Sequence, residues 1–168
     1  MSTSRRPVPE PPGPGQESVW DYPRPPRLET TTNDIEVVLG GQVVARTRAA
    51  LRVLETSHPP TYYLPMSDFV DGVLRPARGG SLCEWKGQAS YFDVVGGDTV
   101  ARRAAWHYPS PTPAFASIAG HVALYPGAME RCTVDGEVVR AQPGGFYGGW
   151  VTSQVVGPFK GDPGTMFW

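Results

Sequence analysis

The side chains that most often carry chemistry are few in this chain, and most of them stand alone. The histidines are His58, His107 and His121, and the cysteines are Cys83 and Cys132. None of them has a second histidine or cysteine at the close spacing, such as Cys-x-x-Cys, that structural zinc sites use. We therefore expect no metal site, and we expect both cysteines to be buried structural thiols.

Other chemical motifs are weak or missing. Asp68 and Asp71 could hold Mg²⁺ together, but without a third carboxylate nearby a turn-forming role is the stronger interpretation. A Cys83 nucleophile served by His58 or His107 is a further hypothesis. The sequence contains no Gly-x-x-x-x-Gly-Lys loop, no Gly-x-Gly-x-x-Gly motif and no Gly-x-Ser-x-Gly elbow. It therefore predicts no cofactor.

Three turns indicate the strands that must position these residues. Apolar runs flank the dipeptides Gly40-Gly41, Gly96-Gly97 and Asp135-Gly136. Glycine readily adopts the positive φ that two-residue hairpin turns require. Three hairpins in a chain of 168 residues predict a mainly β fold.

Two short helices are also predicted. Thr47 can cap a helix over residues 48–55, in which Ala50, Leu51 and Leu54 share one face. Thr112 precedes Pro113, which favours a second short helix over residues 113–119 because proline suits the first helical turn.

The central hairpin brings the main site candidates together. If the turn at Gly96-Gly97 is a two-residue loop without a bulge, Lys86 pairs with His107 and Trp85 pairs with Tyr108. One face of the hairpin is then aromatic and the other polar. The first collects Trp85, Tyr91, Asp93, Arg102, Trp106 and Tyr108, and the second collects Glu84, Lys86, Gln88, Ser90, Arg103 and His107, with Phe92 and Val94 nearer the turn. A bulge at Gly87 would reverse the direction in which residues 84–86 face.

Each face allows two interpretations. The aromatic side chains either form part of the core or line a pocket for a flat or cationic ligand. The polar face is either solvated, as is usual for antiparallel sheets, or forms an anion or acid–base site, with an anion between Lys86 and His107. The candidate ligand-binding residues are Trp85, Lys86, Glu84, Trp106, His107, Tyr108 and His58.

Proline and glycine divide the chain into segments. Eight of the nineteen prolines lie in the first 26 residues, so we expect residues 1–18 to be a disordered leader. Residues 19–34 carry Trp20 and Tyr22 and are expected to pack on the domain as an extended arm. Residues 35–140 are expected to form one β-rich core domain, and residues 141–168 a packed extension rich in glycine and aromatic residues.

Composition narrows the partners. The 15 Lys and Arg nearly balance the 16 Asp and Glu, which leaves a net charge of -1 and argues against nucleic-acid binding. No apolar run approaches the roughly 20 residues that cross a bilayer, and no secretory signal is visible. These observations predict a cytoplasmic protein that binds neither nucleic acid nor membrane.

Three blocks of the sequence resemble a bacterial family catalogued as domain of unknown function four-two-seven and also labelled nucleotidyltransferase nine. The blocks are residues 83–91, residues 104–111 followed by 118–125, and residues 58–65, and together they cover about residues 35–135. The arm at residues 19–26 and the Gly-Gly-Phe-Tyr-Gly-Gly-Trp tail resemble the longer actinobacterial-type members.

The resemblance implies a compact single domain of strongly bent antiparallel sheets, similar to the tent-like folds of the Mss-four group. Relatives in that group often carry a zinc knuckle built from two Cys-x-x-Cys pairs, which this sequence lacks. Some use a cage of tryptophans to bind a small ring, a role for which Trp85 and Trp106 are the candidates here. The nucleotidyltransferase label implies metal-dependent transfer, but the sequence lacks the carboxylate cluster that such chemistry needs.

Three functional hypotheses remain open. The first is a small-molecule-binding β-domain, or an enzyme of unknown reaction, whose ligand is anionic or aromatic. The second is a protein-interaction module that uses the aromatic arm and tail, for example to form a homodimer. The third is nucleotidyl transfer, and only the family label favours it.

Overall fold

The chain folds mainly into antiparallel β-structure. The computed structural model describes residues 6–168. Within them the strands are β1 (Glu17–Ser18), β2 (Arg27–Thr30), β3 (Ile35–Leu39), β4 (Gln42–Thr47), β5 (Leu51–Leu54), β6 (Thr61–Pro65), β7 (Leu74–Cys83), β8 (Gly87–Gly96), β9 (Thr99–His107), β10 (His121–Leu124), β11 (Arg131–Val134), β12 (Glu137–Val138), β13 (Arg140–Ala141), β14 (Trp150–Val151) and β15 (Val155–Val156). The helical segments in this range are short 3-10 turns at Val19–Asp21, Met66–Asp68, Pro113–Ile118 and Pro126–Ala128. The expected mainly β, single-domain fold is confirmed.

Two of the three predicted hairpin turns lie where the sequence places them. Leu39 pairs with Gln42 around Gly40-Gly41, both of which have positive φ. The turn at Asp135-Gly136 connects β11 to β12 in the same way. In the third hairpin Gly96 pairs with Thr99, so the turn lies one residue later than predicted, at residues 97–98.

Two larger sheets enclose the main core. The seven-stranded sheet has the order β2-β5-β6-β10-β9-β8-β7, and the four-stranded sheet has the order β12-β11-β3-β4. Side chains from both sheets form one buried cluster, to which Val37, Leu64 and Val94 belong. The opposite face of the seven-stranded sheet carries a second cluster that contains Tyr63 and Trp106. Successive residues of β6 and β10 alternate between the two clusters, as strand geometry requires.

The helix predicted over residues 48–55 is wrong. Leu51–Leu54 is strand β5, which lies between β2 and β6 and has all four residues buried. The apolar side chains that suit a helical face also suit a strand that is covered on both sides, and pairing with two neighbours outweighs local propensity. The Thr47 hydroxyl accepts a hydrogen bond from the Ala49 N–H at 2.9 Å in a turn. The second predicted helix does form, as the 3-10 segment Pro113–Ile118.

The predicted register of the central hairpin is also wrong. His107 pairs with Ser90 rather than Lys86, and Trp106 pairs with Tyr91. The later turn and a bulge beside Asp93 shift the pairing. Residues 84–86 are not in a strand at all, because Cys83 pairs with Gly87 and the three residues between them form the turn from β7 to β8. Strand β7, which supplies this pairing, was not predicted from the sequence.

The segments before residue 35 pack closely on the domain. Residues 1–5 of the predicted leader lie outside the described residues, whereas Glu17–Ser18 at its end forms β1, which pairs with β15. Trp20 and Tyr22 are buried. Arg52 of β5 donates hydrogen bonds to the carboxylates of Glu17 and Glu29 at 2.6–3.2 Å, so ion pairs between a buried arginine and two partly exposed carboxylates link this region to the sheet. No helix in the described range is long and apolar enough to cross a membrane.

Candidate functional site

A pocket of about 400 Å³ opens on the second face of the seven-stranded sheet. Its floor belongs to β6, β8 and β9, its near rim is the β7–β8 turn, and its far wall is the segment from residue 142 to residue 160. Eight aromatic side chains line it, namely Tyr63, Trp85, Tyr91, Trp106, Tyr108, Tyr125, Phe146 and Tyr147. The pocket also contains Lys86 and Lys160, the two lysines of the chain.

The near rim of the pocket is the tip of the β7–β8 hairpin, which Thr112 holds through two hydrogen bonds. Glu84, Trp85 and Lys86 form the three-residue turn, and Gly87 follows with φ +107. Thr112 fixes the turn, because its N–H donates to the Lys86 carbonyl at 3.0 Å and its hydroxyl donates to the Trp85 carbonyl at 2.5 Å. The rim therefore has defined backbone hydrogen bonds on its protein side.

Aromatic packing builds the floor. The Trp106 and Tyr125 ring centroids are 4.6 Å apart, and those of Tyr63 and Tyr108 are 6.4 Å apart, within the range of favourable ring contacts. Gly148 lies against the Trp106 indole so closely that a Cβ there would be 2.2 Å from a ring carbon. Burial raises the pKa of Tyr63 and of Tyr108, so both phenols stay protonated at neutral pH.

Gln142 connects separate parts of the far wall through hydrogen bonds. It is only 3% exposed. Its Oε1 accepts from the Gly149 N–H at 3.0 Å, and its Nε2 donates to the Lys160 carbonyl at 2.7 Å. These two contacts distinguish the oxygen of the Gln142 amide from its nitrogen, because a flipped amide would place donor against donor and acceptor against acceptor.

Gln142 and Glu55 flank the His58 ring. Gln142 Nε2 lies 3.0 Å from His58 Nδ1. His58 Nε2 in turn lies 3.4 Å from a Glu55 carboxylate oxygen. Both ring nitrogens therefore have protein partners. The His58 ring also packs edge-on against Tyr147, with centroids 4.9 Å apart.

Glu55 is the charged residue behind His58. Burial on its own would raise the pKa of Glu55, but the hydrogen bond from His58 and the positive charges around the carboxylate lower the pKa below its usual value. Arg24 approaches the same carboxylate at 3.6 Å. Glu55 is therefore an anion that its own neighbours already engage.

The two lysines lie over aromatic rings. Lys86 Nζ is 5.7 Å from the Tyr108 ring centroid, and Lys160 Nζ is 5.7 Å from that of Tyr147, distances typical of cation–π contacts. Lys86 Nζ also lies 3.5 Å from Cys83 Sγ. Within residues 6–168 neither ammonium group has a carboxylate within 4.0 Å. Burial and the charge of Arg24 lower the pKa of Lys160.

The structure brings most of the predicted residues to one place. Six of the seven candidates line the pocket, and these are His58, Glu84, Trp85, Lys86, Trp106 and Tyr108. His107 does not, because its imidazole packs on the Phe92 ring with centroids 4.6 Å apart. The expected anion site between Lys86 and His107 is therefore wrong in its second partner.

The two cysteines differ. Cys132 is buried as expected, and burial raises the pKa of its thiol to about 12. Cys83 is partly exposed and lines the pocket, contrary to the expectation of a buried structural thiol. No group of three histidine, cysteine or acidic side chains in the described part of the chain could hold a metal ion.

Sequence reasoning missed the far wall. The predicted site residues did not include Gln142, Tyr147 or Lys160, although the run Gly-Gly-Phe-Tyr-Gly-Gly did indicate a packed aromatic segment. One usable signal existed, namely that a chain with only two lysines places one of them in this tail.

Comparison with known proteins agrees with the resemblance of the sequence blocks. A family model described as a domain of unknown function, DUF427, matches residues 27–135. A search of curated proteins finds no match. The matched region includes the floor and the near rim of the pocket, whereas the wall that carries Gln142 and Lys160 lies beyond it. Since the match covers well over half of the sequence, the chain belongs to the DUF427 family.

Proposed function

We propose that the pocket binds a small, flat aromatic molecule that carries a negatively charged group. The observation that carries the proposal is the composition of its wall. Eight aromatic side chains and both lysines of the chain line one pocket of about 400 Å³, a volume typical of small-molecule sites.

The aromatic preference follows from the rings. Trp85 and Tyr91 are only partly buried, although both pack against the buried cluster. Partly exposed rings around a concave space favour a planar guest, because stacking removes apolar surface from water on both partners.

The anionic preference follows from the cations. Lys86 and Lys160 already lie over the ring faces of Tyr108 and Tyr147, so a cationic ligand would meet like charge. Glu55 is engaged by Arg24 and His58 and leaves the ammonium groups available. A carboxylate or similar anion entering the pocket would form charge-assisted hydrogen bonds with them.

The contacts of the two His58 ring nitrogens favour ligand binding over acid–base catalysis as the function of the pocket. A general base needs a free nitrogen within reach of the proton that it abstracts. Both nitrogens of His58 face protein partners, Gln142 on one side and Glu55 on the other. Its role in this proposal is to connect the sheet to the far wall.

The test is a matched set of naphthalene probes. We expect 2-naphthoate to bind more tightly than the neutral alcohol 2-naphthylmethanol, and 2-naphthylmethylammonium to bind least, as measured by calorimetry and by quenching of tryptophan fluorescence. Replacing Lys86 with Met should weaken naphthoate binding by about tenfold or more, since a charge-assisted hydrogen bond contributes about 1.5–3 kcal/mol. It should leave the affinity for the alcohol nearly unchanged.

Two further variants complete the design. Trp85→Leu should weaken all three probes, because it removes a stacking surface. Arg131→Met removes one positive charge from an exposed position in the other sheet and should change nothing. Equal affinity for the three probes, or an Arg131→Met effect as large as that of Lys86→Met, would refute the proposal.

A second candidate function is self-association. Leu82 and Phe146 line the pocket mouth with 78% and 76% of their surface exposed, and Phe167 is 83% exposed. Exposed apolar side chains of this size can mark an interface between proteins. Sedimentation velocity of the wild type and of Phe146→Ser tests this candidate, for which a concentration-dependent dimer that the substitution removes is the expected result.

A further inference from the structure

A second cleft, of about 350 Å³, adjoins the aromatic pocket. The two cavities share Tyr125, Gln142 and Tyr147 in their walls. On its far side the cleft is lined by Arg102 and Arg103, which follow each other in β9. Its lining thus differs from that of the pocket, because guanidinium groups replace most of the rings.

A β-bulge places the two arginines there. The register of β8 and β9 shifts beside Asp93, and the Asp93 carboxylate accepts a hydrogen bond from the Arg103 backbone N–H at 2.8 Å. Arg103 has φ +50, a left-handed conformation that is unfavourable for a residue with a Cβ. Bulges of this kind redirect side chains and are frequent beside functional sites.

The Arg103 guanidinium is held in place by its surroundings. Its Nη1 donates to the Arg78 carbonyl at 3.0 Å, and its Cζ lies 4.5 Å from the centroid of the Tyr91 ring, which also lines the pocket. Gly79 leaves room for the Arg103 guanidinium, since a Cβ at residue 79 would be 2.9 Å from Nη1. The side chain is therefore fixed at the boundary between the cleft and the pocket before any ligand arrives.

The remaining donors of the pair have no anionic partner in the part of the chain that the structure describes. Among residues 6–168, no carboxylate lies within 4.0 Å of either guanidinium, and Asp93 is engaged by the backbone N–H of the bulge. Two guanidinium groups at one cleft, one of them held by the Arg78 carbonyl and the Tyr91 ring, suit a phosphate, whose oxygens accept paired N–H donors.

We propose that Arg102 and Arg103 form a phosphate-binding subsite for a ligand whose aromatic ring lies in the neighbouring pocket. This inference rests on the proposed function and extends it. The ligand class is then an aromatic ring that carries one anionic group near the lysines and a phosphate beyond Tyr125 and Tyr147.

The test treats the two halves of the ligand as separate probes. Inorganic phosphate is titrated while the arginine Nε–H signals are followed by NMR, with and without saturating 2-naphthoate. We expect phosphate to shift the signals of Arg102 and Arg103 in both conditions. Each of Arg102→Met and Arg103→Met should weaken phosphate binding at least tenfold, and Arg102→Met should leave the affinity for naphthoate unchanged.

Matched variants make the outcome decisive. Arg131→Met removes the same charge elsewhere and should not change phosphate binding. Arg103→Lys keeps the charge but loses the planar fork and should restore binding only in part. If Arg103→Met disturbs the bulge, Arg102→Met still tests the subsite, because the Arg102 side chain is exposed.

Each contrary result has a different meaning. Phosphate that displaces naphthoate and is lost in Lys86→Met would bind on the lysine, and the arginine subsite would be refuted. Equal weakening by Arg131→Met would reduce the effect to overall charge and would also refute it. Normal phosphate binding at the arginines with no naphthoate binding would refute the aromatic pocket and leave the arginine subsite standing.

Discussion

Gln142 offers the sharpest test of how the pocket is built. Gln142→Ala deletes an amide that serves the Gly149 N–H, the Lys160 carbonyl and His58 Nδ1. A buried polar group left without a partner costs about 1–3 kcal/mol. The Gly149 contact is buried and should count in full, whereas the other two are partly buried and can recruit water. We therefore expect the free energy of unfolding to fall by about 2–4 kcal/mol.

The assay is urea unfolding followed by circular dichroism and tryptophan fluorescence. Gln88→Ala is the matched control, because Gln88 is exposed and its side chain makes one long contact, with the Ala89 carbonyl at 3.4 Å. Its cost should stay within about 0.5 kcal/mol, as for ordinary surface substitutions. A Gln142→Ala cost no larger than that of Gln88→Ala would refute the central role of this amide.

Three further predictions follow from the charged and thiol groups. Arg52→Met should lower the free energy of unfolding by about 1–3 kcal/mol, since its carboxylate partners are partly exposed, whereas Arg46→Met, at an exposed ion pair, should hardly change the midpoint of the same urea titration. Because the folded-state pKa of Glu55 is lowered, its ionisation stabilises the fold above the unfolded pKa; the stability difference between Glu55→Gln and the wild type should therefore shrink as the pH falls through the folded value, and a difference constant down to pH 3 would argue against this. Iodoacetamide followed by mass spectrometry should label Cys83 long before Cys132, whose pKa is raised to about 12, and equal labelling of the folded protein would contradict the burial of Cys132.

The elements that could be predicted from sequence are those with local causes. A Gly40-Gly41 turn needs only two residues with positive φ, so its hairpin is visible in the sequence. The predicted pairing of Lys86 with His107 is different. The true register of β8 and β9 depends on a bulge that a hydrogen bond between Asp93 on one strand and Arg103 on the other stabilises. Residues 51–54 could form either a helix or a strand by pattern, and only the neighbours on both sides decide between them.

The residues of the candidate site also differ in whether the sequence contains a signal that identifies them. Trp85, Lys86 and Trp106 were identified from the predicted register of the central hairpin, and they line one pocket although that register is wrong. Gln142 could not be identified, since its importance comes from partners that are distant in sequence, such as His58 at a separation of 84 residues. A lone glutamine in a flexible-looking sequence has no signature of burial.

The parallel pairing of β1 with β15 has a consequence for how the protein is made. Trp20 Nε1 donates to the Pro158 carbonyl across 138 residues, and the contact between His58 and Gln142 is also remote. Closing such long loops is entropically costly, so we expect these contacts to form late in folding. During synthesis the seven-stranded sheet would leave the ribosome with its aromatic face uncovered, and the far wall would close over that face only after β15 had emerged. The aromatic face that lines the pocket is thus expected to be exposed to solvent, and prone to association with other chains, until the far wall covers it.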